Sequence, residues 1–105
     1  MKRQPSEHEV QSQILQYLTI KGIFCWRSNT GAMRSIYKGK ARFMRFGVVG
    51  SPDIFAVVNG NIVGIEVKGP RGKLSAAQDE FGSRLIAAGG SYIVAFSLED
   101  VTAIL

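Results

Sequence analysis

The stretch Ser51 to Lys68, SPDIFAVVNGNIVGIEVK, constrains the fold most. Two runs rich in Val, Ile and Phe flank Asn59-Gly60, a pair suited to the positive φ angles of a two-residue type I′ turn. The pattern predicts two antiparallel strands, 53–58 and 61–68. A two-residue loop pairs Val58 with Asn61 and Val57 with Ile62, and the ladder continues outward until Asp53 faces Glu66. Directly opposed residues share a sheet face, with β-carbons about 5 Å apart. Lys68, two residues beyond Glu66, points to the same face. A four-residue loop with the same centre keeps this register, whereas a three-residue loop puts the carboxylates on opposite faces. Two carboxylates held together in a sheet repel unless one is protonated or a cation bridges them. A hard divalent cation such as Mg²⁺ takes one or two protein carboxylates and completes its shell with water and phosphate oxygens. The competing reading is a solvated hairpin rim.

These residues carry a resemblance. Gly50-Ser51-Pro52-Asp53 followed by Glu66-Val67-Lys68 resembles the PD-(D/E)xK nuclease signature, and the chain is most similar to the VRR-NUC (virus-type replication-repair nuclease) family within that superfamily. The resemblance covers nearly the whole chain: a glutamate on an opening helix, a basic middle, G-x-P-D, E-V-K, then a helix carrying Ser75 and Gln78.

At 105 residues the chain is expected to form one domain, 1–105. A 46% hydrophobic content excludes general disorder. No apolar run is long enough to cross a bilayer, and Lys2, Arg3, Pro5, Glu7 and Glu9 do not read as a signal peptide. The single cysteine, Cys25, excludes an internal disulfide and reads as a buried thiol. Together these fit a cytoplasmic, DNA-associated protein. The net charge of +5 favours an anionic partner. Arg27, Arg34, Lys38, Lys40, Arg42 and Arg45 fall in one segment with no acidic residue between them, interleaved with Tyr37, Phe43 and Phe46. Such a surface suits phosphates, and Arg71 and Lys73 extend it.

Ser6 and Glu9 read as the capping box of a helix over 6–20, with Val10, Ile14, Tyr17 and Leu18 on its inner face. Gly22 ends it. A strand is expected at 23–28, and 31–50 admits short strands, a DNA-contacting arm or a dimer surface. A second helix runs from Ser75 to Ala88, its inward positions being Ala77, Phe81, Leu85 and Ala88. An internal strand follows at 91–96. Ser97 and Asp100 then read as a capping box for a short terminal helix. The expected fold is α/β, in the order α-β-β-β-α-β plus that short helix. The resemblance makes it restriction-endonuclease-like, a mixed four-stranded sheet flanked by helices.

The resemblance also implies the site: Asp53, Glu66 and the Val67 carbonyl on Mg²⁺ or Mn²⁺, aided by Glu7 (Glu9 as second choice), with Lys68 and Gln78 beside them. The implied activity is metal-dependent, structure-selective cleavage of branched DNA, resolving four-way Holliday junctions as a homodimer. Two other readings stand: a less selective nicking or flap nuclease, and a non-catalytic DNA-binding module of nuclease fold.

Overall fold

The computed structural model describes residues 4–28, 31–37, 40–46 and 48–105, and of 31–37 and 40–46 the backbone only. Lys38, expected to bind phosphate, lies outside the described residues. The elements run α1 (Glu7–Ile20), β1 (Phe24–Arg27), β2 (Gly31–Tyr37), β3 (Lys40–Phe46), β4 (Ile54–Val58), β5 (Asn61–Val67), α2 (Ala76–Ala87), β6 (Ser91–Ala95) and α3 (Leu98–Thr102).

The turn between β4 and β5 sets the sheet. Asn59 (φ 52°) and Gly60 (φ 79°) both occupy the left-handed region that a type I′ turn demands. Val58 pairs with Asn61 and Ile54 with Ile65, the register expected from a two-residue loop. β1 pairs antiparallel with β4, and β6 pairs parallel with β5, closing a mixed sheet of order β1-β4-β5-β6. β6 is therefore an edge strand, not the internal strand its apolar sequence suggested. Its apolar residues are buried by helices instead: α2 lies on one side, and α3 packs on the other.

Alternation along the strands sorts their side chains into two layers. Ile54, Ala56, Val63, Ile65, Val67, Ile93 and Ala95 face α1 and form the core with Val10, Ile14, Leu18 and Val101. Ile14, Leu18, Ile54 and Ile65 are fully buried, each contributing about 1.5–3 kcal/mol relative to exposure. α1 opens with the expected capping box, Glu9 N–H donating to Ser6 Oγ at 3.1 Å and Ser6 N–H to Glu9 Oε1 at 3.4 Å. It closes where Gly22 (φ 77°) and Ile23 donate to the carbonyls of Thr19 and Leu18, a Schellman ending. Cys25 is half-buried rather than buried, with its Sγ 3.7 Å from Thr19 Oγ1.

The opposite face carries Phe24, Trp26, Phe55, Gly64, Glu66 and Tyr92, and α2 covers only its β5–β6 half. Gly82 is the one buried residue of α2, because the Tyr92 ring fills the space where a β-carbon would stand, 2.7 Å away. Ala88, expected on the inner face, is exposed. At the C-terminus Ser97 makes no side-chain cap. Asp100 Oδ2 instead accepts from Phe96 N–H at 2.8 Å, so the expected capping box does not form.

β2 and β3 pair only with each other, as a separate antiparallel two-stranded sheet. The basic segment is thus two strands, which adds a β pair to the expected order.

Candidate active site

The hairpin register brings Asp53 and Glu66 together at one end of β4 and β5, on the α2 side of the sheet. Asp53 precedes the first residue of β4 and is tied at both ends. Its carbonyl accepts from Ser28 N–H and its Oδ2 from Val67 N–H, each at 2.8 Å. Glu66 is only 3% exposed. Its Oε1 accepts from Gln78 Nε2 at 2.8 Å and lies 3.7 Å from Lys68 Nζ. Its Oε2 is buried and has no hydrogen-bond partner among the described residues. A buried, unsatisfied carboxylate oxygen is costly, and a cation meeting that oxygen relieves the cost.

Electrostatics agree with the geometry. Burial, and then the negative charge of Asp53, push the Glu66 carboxyl from 4.5 up to about 7, with Lys68 opposing. Asp53 is also raised, by burial first, against the Val67 hydrogen bond that lowers it. Glu7 adds to that rise through its charge. Both acids resist ionising in the absence of positive charge, which a divalent cation supplies.

Gln78 joins the parts. It is the third residue of α2 and completes a capping box with Ser75: Gln78 N–H donates to Ser75 Oγ at 3.1 Å, and Ser75 N–H to Gln78 Oε1 at 2.9 Å. The same Oε1 accepts from Lys68 Nζ at 2.8 Å. Two donors at one end of the amide and a carboxylate at the other fix its orientation, because the reversed amide opposes donor to donor. One side chain therefore starts the helix, aims the lysine and holds the glutamate.

Gly50 brings this helix end to the strand that carries Asp53. It adopts φ 82°, and a β-carbon there would stand 2.3 Å from the Ala77 carbonyl oxygen. The G-S-P-D segment thus touches the first turn of α2 through bare backbone. Pro52, fully buried, packs over Gly64.

The remaining predicted residues are more scattered. Glu7 lies on α1, in the other layer, and reaches around the sheet end, where its Oε1 accepts from Gly69 N–H at 2.8 Å. Glu9 is engaged in the α1 capping box. Among the described residues, no group of three or more His, Cys, Asp or Glu side chains is arranged to hold a metal. The pair Asp53–Glu66 is the set that fits one, and two carboxylates with a spare buried oxygen match the demand of a Mg²⁺-type ion. Val67 contributes its N–H to Asp53. Arg27 lies on the α1 face of the sheet rather than the carboxylate face: its register partner is Ile54, and its Nη2 is 3.4 Å from Ser12 Oγ. Arg71 and Lys73 are exposed in the loop that follows β5. Arg34 pairs with Phe43, Arg42 with Ser35, Arg45 with Ala32 and Lys40 with Tyr37 across the β2–β3 sheet. A groove of about 510 Å³ opens beside Lys68 and Glu7, between the start of α1 and the ends of β5 and β6.

Tyr92 was not foreseen. Its hydroxyl lies 3.5 Å from the Gln78 carbonyl oxygen, and its ring rests on Gly82. Burial, and then the nearby charges of Glu66, Asp53 and Asp79, push its hydroxyl up to about 12. A glycine inside a helix is unfavourable by up to about 1 kcal/mol, so Gly82 was the available signal that something large packs there.

No protein-family model and no curated protein matches the chain. Among solved structures it is similar to one described as a VRR_NUC domain, with a TM-score of 0.65 and 21% identity, covering 93% of this chain and 91% of that one. The chain has the fold of that domain: a mixed α/β, restriction-endonuclease-like architecture with a four-stranded sheet flanked by helices.

Proposed function

We propose that the chain is a divalent-metal-dependent nuclease that hydrolyses DNA phosphodiester bonds at the Asp53–Glu66–Lys68 site. The observation that carries this reading is the buried Glu66, with one oxygen held by Gln78 and the other, beside Asp53, without a hydrogen-bond partner among the described residues. Asp53 and Glu66 would hold Mg²⁺ or Mn²⁺. When bound, such an ion polarises a phosphoryl oxygen and acidifies a coordinated water. Lys68, tethered through Gln78, presents an ammonium where negative charge builds on the phosphoryl group. The Gln78 amide keeps that ammonium beside Glu66 without neutralising it. The net charge of +5 supplies the long-range attraction for a polyanion.

Paired cuts in a four-way junction require two copies of a single-site chain, and a two-fold dimer is the commonest way to provide them. We therefore assign branched DNA as substrate and a homodimer as the acting species, in keeping with the family resemblance of the G-S-P-D and E-V-K residues.

The test offers four-way junctions, flaps, nicked duplex and linear duplex to the protein in Mg²⁺, in Mn²⁺ and in EDTA. Cleavage in either metal, abolished by EDTA and by Glu66→Ala or Asp53→Ala in folded protein, is the expected outcome. Paired cuts on junctions alone support the branch-specific form. Cleavage of all substrates reduces it to a less selective nuclease. Binding without cleavage in both metals leaves only a DNA-binding module and ends the catalytic reading.

A further inference from the structure

The half of the carboxylate-bearing sheet face that α2 leaves free holds, among the described residues, a ladder of aromatic rings. Phe81 on α2 meets Phe55 on β4 at a centroid distance of 6.2 Å. Phe55 stacks on Trp26 of β1 at 5.6 Å with planes 29° apart, and Trp26 meets Phe24 at 5.3 Å. Trp26 and Phe55 are direct register partners, and Phe55 lies two residues from Asp53 on the same face. At about 3.3 Å per residue, the ladder begins about 7 Å from the carboxylates. Its outer rungs are open: Trp26 is 39% exposed and Phe24 is 71% exposed. A small domain leaving a phenylalanine this bare beside its candidate site loses apolar burial there.

We propose that this ladder is a stacking platform for unpaired bases of the DNA strand held at the Asp53–Glu66 site, with Phe24 and Trp26 as the contacting rings. The inference rests on the nuclease reading and deepens it, because it names which part of a branched substrate the protein recognises. Three observations favour bases over a second copy of the chain. The ladder shares its sheet face with the carboxylates, so a strand whose phosphate sits at Glu66 passes over it within one or two nucleotides. Neither β1 (FCWR) nor β4 (IFAVV) carries an acidic residue that would repel a phosphate backbone, and the chain's net charge of +5 attracts a polyanion. The exposed surface consists of aromatic rings, and every base has a complementary face, so stacking of this kind is indifferent to sequence. Fully paired duplex keeps its bases in its own stack, whereas flaps, single strands and branch points opened on the protein expose them. The platform therefore selects for structure without reading a code.

Trp26 is the only tryptophan, so intrinsic tryptophan fluorescence reports on this surface alone. The experiment titrates the protein in EDTA with a short single-stranded oligonucleotide. An oligonucleotide of equal length built from abasic sites and a blunt duplex serve as comparisons. Expected are strong quenching by the base-bearing strand and little by the other two. Phe24→Ala should weaken binding of the base-bearing strand at least about fivefold and leave abasic-strand affinity unchanged. Phe24 is mostly exposed, so the variant should keep the wild-type melting temperature.

Equal quenching by the abasic strand, or an equal loss of both affinities in Phe24→Ala, overturns the platform. So does sedimentation showing that Phe24→Ala converts a dimer to a monomer with no base-dependent quenching, since a second copy then covers the rings. Parallel cleavage assays on the wild-type protein separate the two readings. Base-dependent quenching without cleavage in any metal removes the nuclease and keeps the platform, whereas cleavage without such quenching removes the platform alone.

Discussion

At the scale of single residues, Glu66 sets the pH behaviour. Its folded-state pKa is raised to about 7 from 4.5, so between these values the native protein holds a proton that the unfolded chain has released. Stability therefore falls as pH rises through this window, and the loss is complete above about pH 7. The size is on the order of 3 kcal/mol from the shift. Glu66→Gln should remove most of this loss, so that thermal melts of the metal-free variant change far less between pH 5 and pH 8 than those of the wild type. A wild-type protein equally stable at both pH values would refute the account. Mg²⁺ should raise the melting temperature more at pH 8, where the pair is ionised, than at pH 5.5. Gln78→Ala tests the bridge between Lys68 and Glu66. It should slow cleavage by about 10–100-fold, the usual effect of losing a residue that orients a metal ligand, and circular dichroism should still show the native helix content.

At the scale of elements, the decisive approach is between the 48–53 segment and the first turn of α2. Gly50→Ala introduces both a left-handed strain and a clash with the Ala77 carbonyl oxygen. Urea denaturation should show a loss of about 2 kcal/mol or more. Gly22→Ala is the matched control, since Gly22 has a similar φ of 77° but open space around it. Its loss should be smaller, about 1 kcal/mol. Similar losses in the two would mean that the approach of Gly50 to α2 contributes nothing. The Gly50 variant should also cut more slowly, because moving the segment off α2 displaces Asp53 from Glu66 and Gln78.

At the scale of the whole molecule, charge and topology act together. The basic strands β2 and β3 form their own sheet, and their register alternates the basic positions: Arg34 and Arg45 belong to one face, Lys40 and Arg42 to the other. Neutralising Arg42 together with Arg45 should weaken DNA binding at low salt. It should also lower the slope of log affinity against log salt by about 1 for each phosphate that the variant no longer neutralises. An unchanged slope, measured by fluorescence anisotropy from low to physiological salt, would show that these arginines touch no phosphate. The paired basic sheet was hard to read from sequence for the same reason. With basic residues at positions on both faces, neither face presents the apolar alternation that identifies a strand.

Local chemistry settled much of this protein in advance. Asn59-Gly60 forces one turn, the turn forces one register, and the register alone brings Asp53 opposite Glu66. Ser6 with Glu9, Ser75 at the head of α2, and the glycines after each of the two long helices likewise act over a few residues, so those helices were legible, whereas the pairing of Ser75 with Gln78 emerged only in the structure. Packing between distant parts of the chain was decided only on folding. The apolar 91–95 strand lies at the sheet edge because helices bury it, Glu7 is held at Gly69 rather than within a carboxylate cluster, and Tyr92 supplies the bulk that Gly82 lacks. These depend on which layer meets which, and no spacing within a single segment encodes that.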